Sequence, residues 1–215
     1  MKTLCVAVVV LSFSSVCQPA SLACERLLKP EARNPDLTGR WRYVALSSDL
    51  CPTRTIMESV FRPAMEMNIT SEVTPNVYSL GFKFKILGMC IHKSHFSTFV
   101  YENNTVSAAD SNNASPSEPI VLLQSGCPDC IILRNDAIHS LILLSRRETV
   151  TAAEMKEFET QAKCSGLPEP QLFMSDHVYE NCTMLEDFLH TFSSQVDIEK
   201  ARSLNEKIMN CRQQR

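Results

Sequence analysis

The stretch "VYSLGFKFKILG", residues 77–88, restricts the fold more than any other part of the chain. Tyr78, Leu80, Phe82, Phe84 and Ile86 fall on one face, and Ser79, Gly81, Lys83 and Lys85 on the other. A period of two marks a strand with one dry and one wet face. Similar runs are "GRWRYVAL", "ESVFRPAMEMNIT", "CIHKSHFSTFVYE", a short "TVSAAD", "EPIVLLQSG", "CIILRN" and "IHSLILLSRR", separated by turns rich in Asn, Asp, Pro or Gly. Eight consecutive strands between residues 39 and 147 predict antiparallel up-and-down pairing in an all-β domain, not a crossover fold.

The pattern changes after residue 150. In "TAAEMKEFETQAKC" Thr151 stands three residues before Glu154 as a capping box, and Met155, Phe158 and Ala162 line one side. This predicts a helix over 151–163 that closes near Gly166. A second helical region is predicted over 182–211, where Leu185, Phe188, Leu189 and Phe192, then Ile198, Leu204 and Ile208, recur at near-helical spacing.

The first residues, "MKTLCVAVVVLSFSSVCQPASLAC", combine Lys2, a short apolar run and small residues at Ser21 and Ala23. They read as a secretory signal over 1–23, with Ala20 the alternative cleavage point, because the run is shorter than the roughly 20 residues a bilayer span needs. Cleavage leaves eight cysteines, an even number that reads as up to four disulfides in an oxidising compartment. Sequons at Asn68, Asn103, Asn113 and Asn181 agree with export and are expected glycan sites. Roughly 190 mature residues suit one domain over 24–182 with a helical extension over 183–215. A net charge of −3 with no basic block makes nucleic acid and anionic membrane poor partners.

Catalytic and metal chemistry has little to stand on. No Ser-His-Asp order, G-x-S-x-G motif or paired carboxylates stand out. His92 and His95, three apart, fall on opposite faces of a regular strand and make no metal site, so no cofactor is expected. Cys127 and Cys130 form a C-x-x-C, for which a redox pair and half of a zinc site are the sharper readings. The first needs a thioredoxin-like helix and the second another ligand pair at matching spacing, so a structural loop disulfide is the expectation.

Gly39-Arg40-Trp41 on the first of eight strands, Arg146 (Arg147 the alternative) at the end of the last, and a helix directly after it resemble the lipocalin family. That resemblance implies a closed eight-stranded barrel with a ligand cavity, in which Trp41 plugs the closed end beneath the arginine. The family's Thr-Asp-Tyr motif is replaced here by "QSGCPDCIIL". Within the family, the cysteine layout is similar to that of the alpha-1-acid glycoprotein group, more distantly to apolipoprotein M, and to fish plasma lipocalins that bind tributyltin, saxitoxin and tetrodotoxin.

The same resemblance implies the bridges Cys24–Cys164 and Cys90–Cys182. In an up-and-down barrel Cys51 follows strand one at the open end, while Cys127 and Cys130 lie between strands six and seven at the closed end. Elimination then pairs Cys127 with Cys130 and Cys51 with Cys211. The function implied is a secreted, monomeric, non-catalytic carrier of a small hydrophobic or amphiphilic ligand: a lipid, drug, xenobiotic or toxin. Candidate ligand-contacting residues are Phe61, Met65, Met67, Tyr78, Phe82 and Phe84, with plain barrel core or outer contact with the helix as the alternative for each. His92, His95, Lys83, Lys85 and Tyr101 are candidates for polar contacts near the open half, and strand parity stays open. Two other classes compete: a surface-acting interaction or inhibitor protein, and a thiol-dependent lipocalin enzyme of the prostaglandin D synthase type, which would need Cys51 unpaired. Non-reducing peptide mapping is expected to find Cys90 linked to Cys182; a Cys24–Cys51 link would contradict the assignment.

Overall fold

In a computed structural model, the described residues are 20–60, 65–86, 89–109, 118–173, 183–184 and, near the end of the chain, 202, 203, 206, 209 and 211. Helix α1 (Ala20–Leu27) precedes strand β1 (Gly39–Ser48), helix α2 (Cys51–Val60) and strands β2 (Met65–Ser71), β3 (Val77–Ile86), β4 (Met89–Glu102) and β5 (Thr105–Ala108). Strands β6 (Ile120–Leu123), β7 (Cys130–Asn135) and β8 (Ser140–Ser145) follow, then helix α3 (Ala152–Cys164) and two-residue strands β9 (Gln171–Leu172) and β10 (Thr183–Met184). The antiparallel order runs β4-β3-β2-β1-β8-β7-β6-β5, and pairing of β4 with β5 closes the ring. β5 pairs with the end of β4 at residues 99–102, and the earlier part of β4 extends beyond it.

Two segments depart from the sequence reading. The second predicted strand starts at Glu58, yet Cys51–Val60 is helical and β2 begins at Met65. Pro52 sits in the first turn of α2, where its missing N–H costs nothing, and Arg54 N–H already donates to the Leu50 carbonyl at 3.0 Å. The predicted helix over 182–211 also fails at its start, since Thr183–Met184 pairs in parallel with Met89–Cys90. That end of β4 lies beyond its pairing with β5, so its backbone groups need another partner. Most of 185–211 lies outside the described residues, as does nearly all of the predicted leader. Helix α1 runs through the expected cleavage point after Ala23.

Helix α3 covers the outer face of β1, β7 and β8. Phe158 and Ala162 pack on Ala45, Ile132, Leu141 and Leu143, and all six are essentially solvent-free. Gln161, also fully buried, donates from Nε2 to the carbonyls of Leu27 and Gln124, both at 2.8 Å, and so ties the helix to α1 and to the end of β6. The helix starts with a true capping box, in which Thr151 Oγ1 accepts from Glu154 N–H and the Glu154 carboxylate accepts from Thr151 N–H. Disulfides Cys24–Cys164, Cys51–Cys211 and Cys127–Cys130 are formed. Cys90 is disulfide-bonded as well, and Cys182 lies outside the described residues.

The end of the barrel at Gly39 is closed by residues 31–38 and by one cation–aromatic contact. Trp41 is buried, its Nε1–H donates to the Leu37 carbonyl at 2.7 Å, and the Arg146 guanidinium carbon lies 4.3 Å from its ring centroid. Arg146 also donates to the Asp36 carbonyl at 2.8 Å. The Thr38 hydroxyl and amide hold the Asp36 carboxyl below its ordinary range, with Arg146 adding to the effect. Gly39 is required on two counts: its φ is +97°, and a Cβ there would stand 2.8 Å from Arg146 Nη1. This is the physical content of the G-x-W spacing.

Trp41→Phe is expected to lower the unfolding free energy by a few kcal/mol, as large-to-small core changes do, while the folded fraction keeps its affinity for a hydrophobic probe. Paired melting and probe titration checks this; lost binding with unchanged melting would move Trp41 into the ligand site. Thr151→Ala is expected to cost about 1 kcal/mol in urea unfolding. Glu154→Gln is expected to lower the melting temperature only at higher pH. Its carboxyl is held below the ordinary value, first by the Thr151 amide and then by Arg147, so its contribution is present above the unfolded-state pKa and disappears as pH falls through the folded one.

Candidate functional site

Pairing register settles which face of each strand looks into the barrel. Met65 pairs with Phe84, Met67 with Phe82, Ile69 with Leu80 and Ser71 with Tyr78. Directly opposed residues share a face, and Met67 and Ile69 belong to the same core as Trp41. Met65, Met67, Tyr78, Phe82 and Phe84 therefore all lie on the inner wall, whereas Phe61 falls outside the described residues. Phe82 and Phe84 are 5.2 Å apart between ring centroids, and Phe82 meets Phe96 at 4.6 Å.

The inner wall is less covered than the outer one beneath α3. Along β8, outward-facing Leu141 and Leu143 are 0% and 1% exposed, whereas inward-facing Ile142 between them keeps partial exposure. Tyr43, Tyr78, Leu80, Phe82, Phe84 and Leu133, all inward, are likewise only half-buried. In a filled barrel the inward set would be the more deeply buried. Burial pushes the Tyr43 hydroxyl up to about 12. The same hydroxyl donates to Met67 Sδ at 3.6 Å, and the Tyr43 ring meets Phe173 edge-on at 6.0 Å. Toward the closed end the wall becomes solid, with Leu37, Trp41, Ile69, Phe99, Tyr101, Leu122, Ile131 and Leu144 buried together. Beyond that packed floor the inward residues are mixed, with Leu46, opposite Ile142, also fully buried.

Strand β4 carries an irregularity that the sequence pattern does not reveal. Leu80 pairs with Ser97 but Phe82 pairs with Lys93, so Ser94, His95 and Phe96 stand opposite the single residue Gly81. Glycine is needed there, because a Cβ would lie 2.5 Å from the Ser94 carbonyl oxygen. The bulge sends His95 to the outer face, where its Nδ1 shares a hydrogen bond of 2.5 Å with the buried Ser79 hydroxyl.

The polar candidates are corrected accordingly. Lys83 pairs with His92 on the outer face, His95 joins them there, and Tyr101 lies in the solid closed half. The two histidines share one face because the bulge breaks the regular alternation between them. The Lys85 side chain lies outside the described residues. In their place Lys93, opposite Phe82, puts a cation on the inner wall of the open half, with no acidic partner among the described residues. Tyr43 was legible in the alternation of "GRWRY". Phe173, reached through β9 pairing with β1, follows a proline-rich stretch that gives no strand signal.

No family model and no curated protein matches this chain in sequence. Solved structures do. The siderocalin Ex-FABP, described as functioning through dual ligand specificities, superposes with a TM-score of 0.51 at 14% identity, covering 65% of this chain and 91% of that one. A dog lipocalin allergen has 15% identity and a TM-score of 0.45, over 69% of this chain and 99% of its own. At 14% identity the likeness to Ex-FABP is one of architecture. With eight antiparallel up-and-down strands closed between β4 and β5 and a helix directly after the last, this chain has the lipocalin fold.

Proposed function

We propose that this chain is a secreted, non-catalytic carrier that holds one small hydrophobic or amphiphilic molecule in the open half of its barrel. The observation that carries the reading is the partial exposure of apolar side chains that point inward, set against the sealed outer wall under α3. Aromatic and thioether groups there offer non-directional burial at about 25 cal/mol per Å² of apolar area, and methionines adapt to more than one ligand shape. Met65, Met67, Phe82 and Phe84, with Phe61, form the contact set; Tyr78, stacked on Phe99 with ring centroids 5.4 Å apart, belongs to the packed closed half.

Lys93 refines the ligand class. The net charge of −3 describes approach from solution, but a cation opposite Phe82 acts at the wall itself. An amphiphile with an apolar body and an anionic head fits this cup better than a cation does. Cys51 is bonded to Cys211, so the thiol that a prostaglandin D synthase-type enzyme would need is not free. Three disulfides and the exposed sequon residues Asn68 and Asn103 support export and glycosylation, for which Asn113 and Asn181 are the further sites. The carrier unit is residues 24–182, with 183–215 an extension tied to α2 through Cys211.

Titration with a fluorescent fatty acid and its uncharged alcohol analogue tests the reading. Phe82→Ala is expected to weaken both about tenfold or more, in line with the ~1.5–3 kcal/mol of a buried large apolar side chain, with a smaller effect on melting. Lys93→Met is expected to weaken the acid about fivefold, equivalent to ~1 kcal/mol for a partly exposed charge pair, and to leave the alcohol unchanged. If neither probe binds the wild type, the carrier reading fails; if both bind and Lys93→Met affects them equally, only the anionic assignment fails.

A further inference from the structure

The C-x-x-C between β6 and β7 has surroundings that a purely structural loop bridge does not require. The Cys127–Cys130 disulfide spans three positions, and Arg147 Nη2 stands 3.0 Å from Cys127 Sγ and 4.0 Å from Cys130 Sγ. The same guanidinium is held by Glu154 Oε1 at 2.7 Å and lies 3.6 Å from Asp129 Oδ2, so it is fixed in place beside the sulfurs. A cleft of about 420 Å³ at the closed end of the barrel is lined by Cys127 and Cys130 together with Arg33, Arg146, Glu31 and Asp36. It lies beneath the Trp41 floor, separate from the open half of the cup. Cys130 is the more exposed of the two sulfur-bearing residues, at 8% against 3% for Cys127.

We infer that Cys127–Cys130 is a redox-active disulfide, opened by dithiol reductants that enter this cleft, with Arg147 selecting Cys127 as the leaving sulfur. A reductant thiolate attacks Cys130 Sγ; the S–S bond breaks, and its electron pair goes to Cys127 Sγ, which becomes a thiolate beside the guanidinium. A mixed disulfide between Cys130 and the reductant results. The second thiol of the reductant, once deprotonated, attacks its own sulfur in that mixed disulfide. The reductant leaves as a cyclic disulfide, and Cys130 leaves as a thiolate that takes up a proton. Two electrons pass from the dithiol to the protein. A cation beside one sulfur favours this order because it stabilises the thiolate, which is both the better leaving group and the more persistent product. The C-x-x-C spacing keeps the two sulfurs close after opening, so the step reverses when an oxidised partner arrives. No thioredoxin-like helix is involved; the guanidinium takes over the part such a helix N-terminus would play.

The test is equilibration of the full chain with graded dithiothreitol, acid quench, alkylation and peptide mapping. The expected result is alkylation at Cys127 and Cys130 while Cys24–Cys164 and Cys51–Cys211 remain closed. Arg147→Gln is expected to raise the dithiol requirement about tenfold, equivalent to about 30 mV for a two-electron couple. Trapping with glutathione, which needs no variant, is expected to place the adduct on Cys130 and leave Cys127 free for alkylation. The inference is overturned if Cys127–Cys130 opens no earlier than the other bridges, if folded Arg147→Gln keeps the wild-type midpoint, or if the adduct sits on Cys127.

Discussion

The contact of the Arg146 guanidinium with the Trp41 indole caps the closed end of the barrel, on which the separation of inside from outside depends. Arg146 follows the last barrel strand and Trp41 lies near the start of the first, so this cation–aromatic pair, worth about 0.5–2 kcal/mol depending on desolvation, sits at the closed end where the pairing of β1 with β8 stops. Through its bond to the Asp36 carbonyl the same arginine fixes residues 31–38 across the base. The floor they form closes that end of the barrel.

Stability and ligand space are supplied by different faces of the same strands. Beneath α3 the outer faces of β1, β7 and β8 are sealed by Phe158 and Ala162, while Gln161 anchors the helix to two backbone carbonyls. The close packing a domain needs is thus placed outside the barrel and at its floor. Inward residues such as Ile142, Phe82 and Phe84 keep partial exposure, which is why the proposed ligand contacts fall on them and not on the residues that seal the outer wall.

Alternating polarity made the barrel strands and their order legible, because burial on one face of a closed sheet writes a period of two directly into the chain. The capping box at Thr151 was legible for a similar local reason. The site was legible only in part. Alternation put Phe82 and Phe84 on one face but did not say which face was inner; that needed the pairing of Met67 with Phe82 and the packing of Met67 beside Trp41. The bulge opposite Gly81 hid Lys93 and displaced His95, since a glycine inside a strand does not announce how many residues its partner strand will add. The end of helix α2 reads as strand in the sequence because "ESV" adjoins a true strand run. The pairing of Met89–Cys90 with Thr183–Met184 depends on a contact between residues more than 90 positions apart, which no local pattern encodes.

We propose that the space above the Trp41 floor is open and takes the ligand. Crystallography of the chain with a brominated fatty acid tests it most directly, because anomalous scattering locates the bromine without reference to side-chain positions. One bromine site per chain is predicted inside the barrel, in contact with Phe82, Met67 or Tyr43. A bromine on the outer surface, with the barrel interior filled by protein side chains, would contradict it.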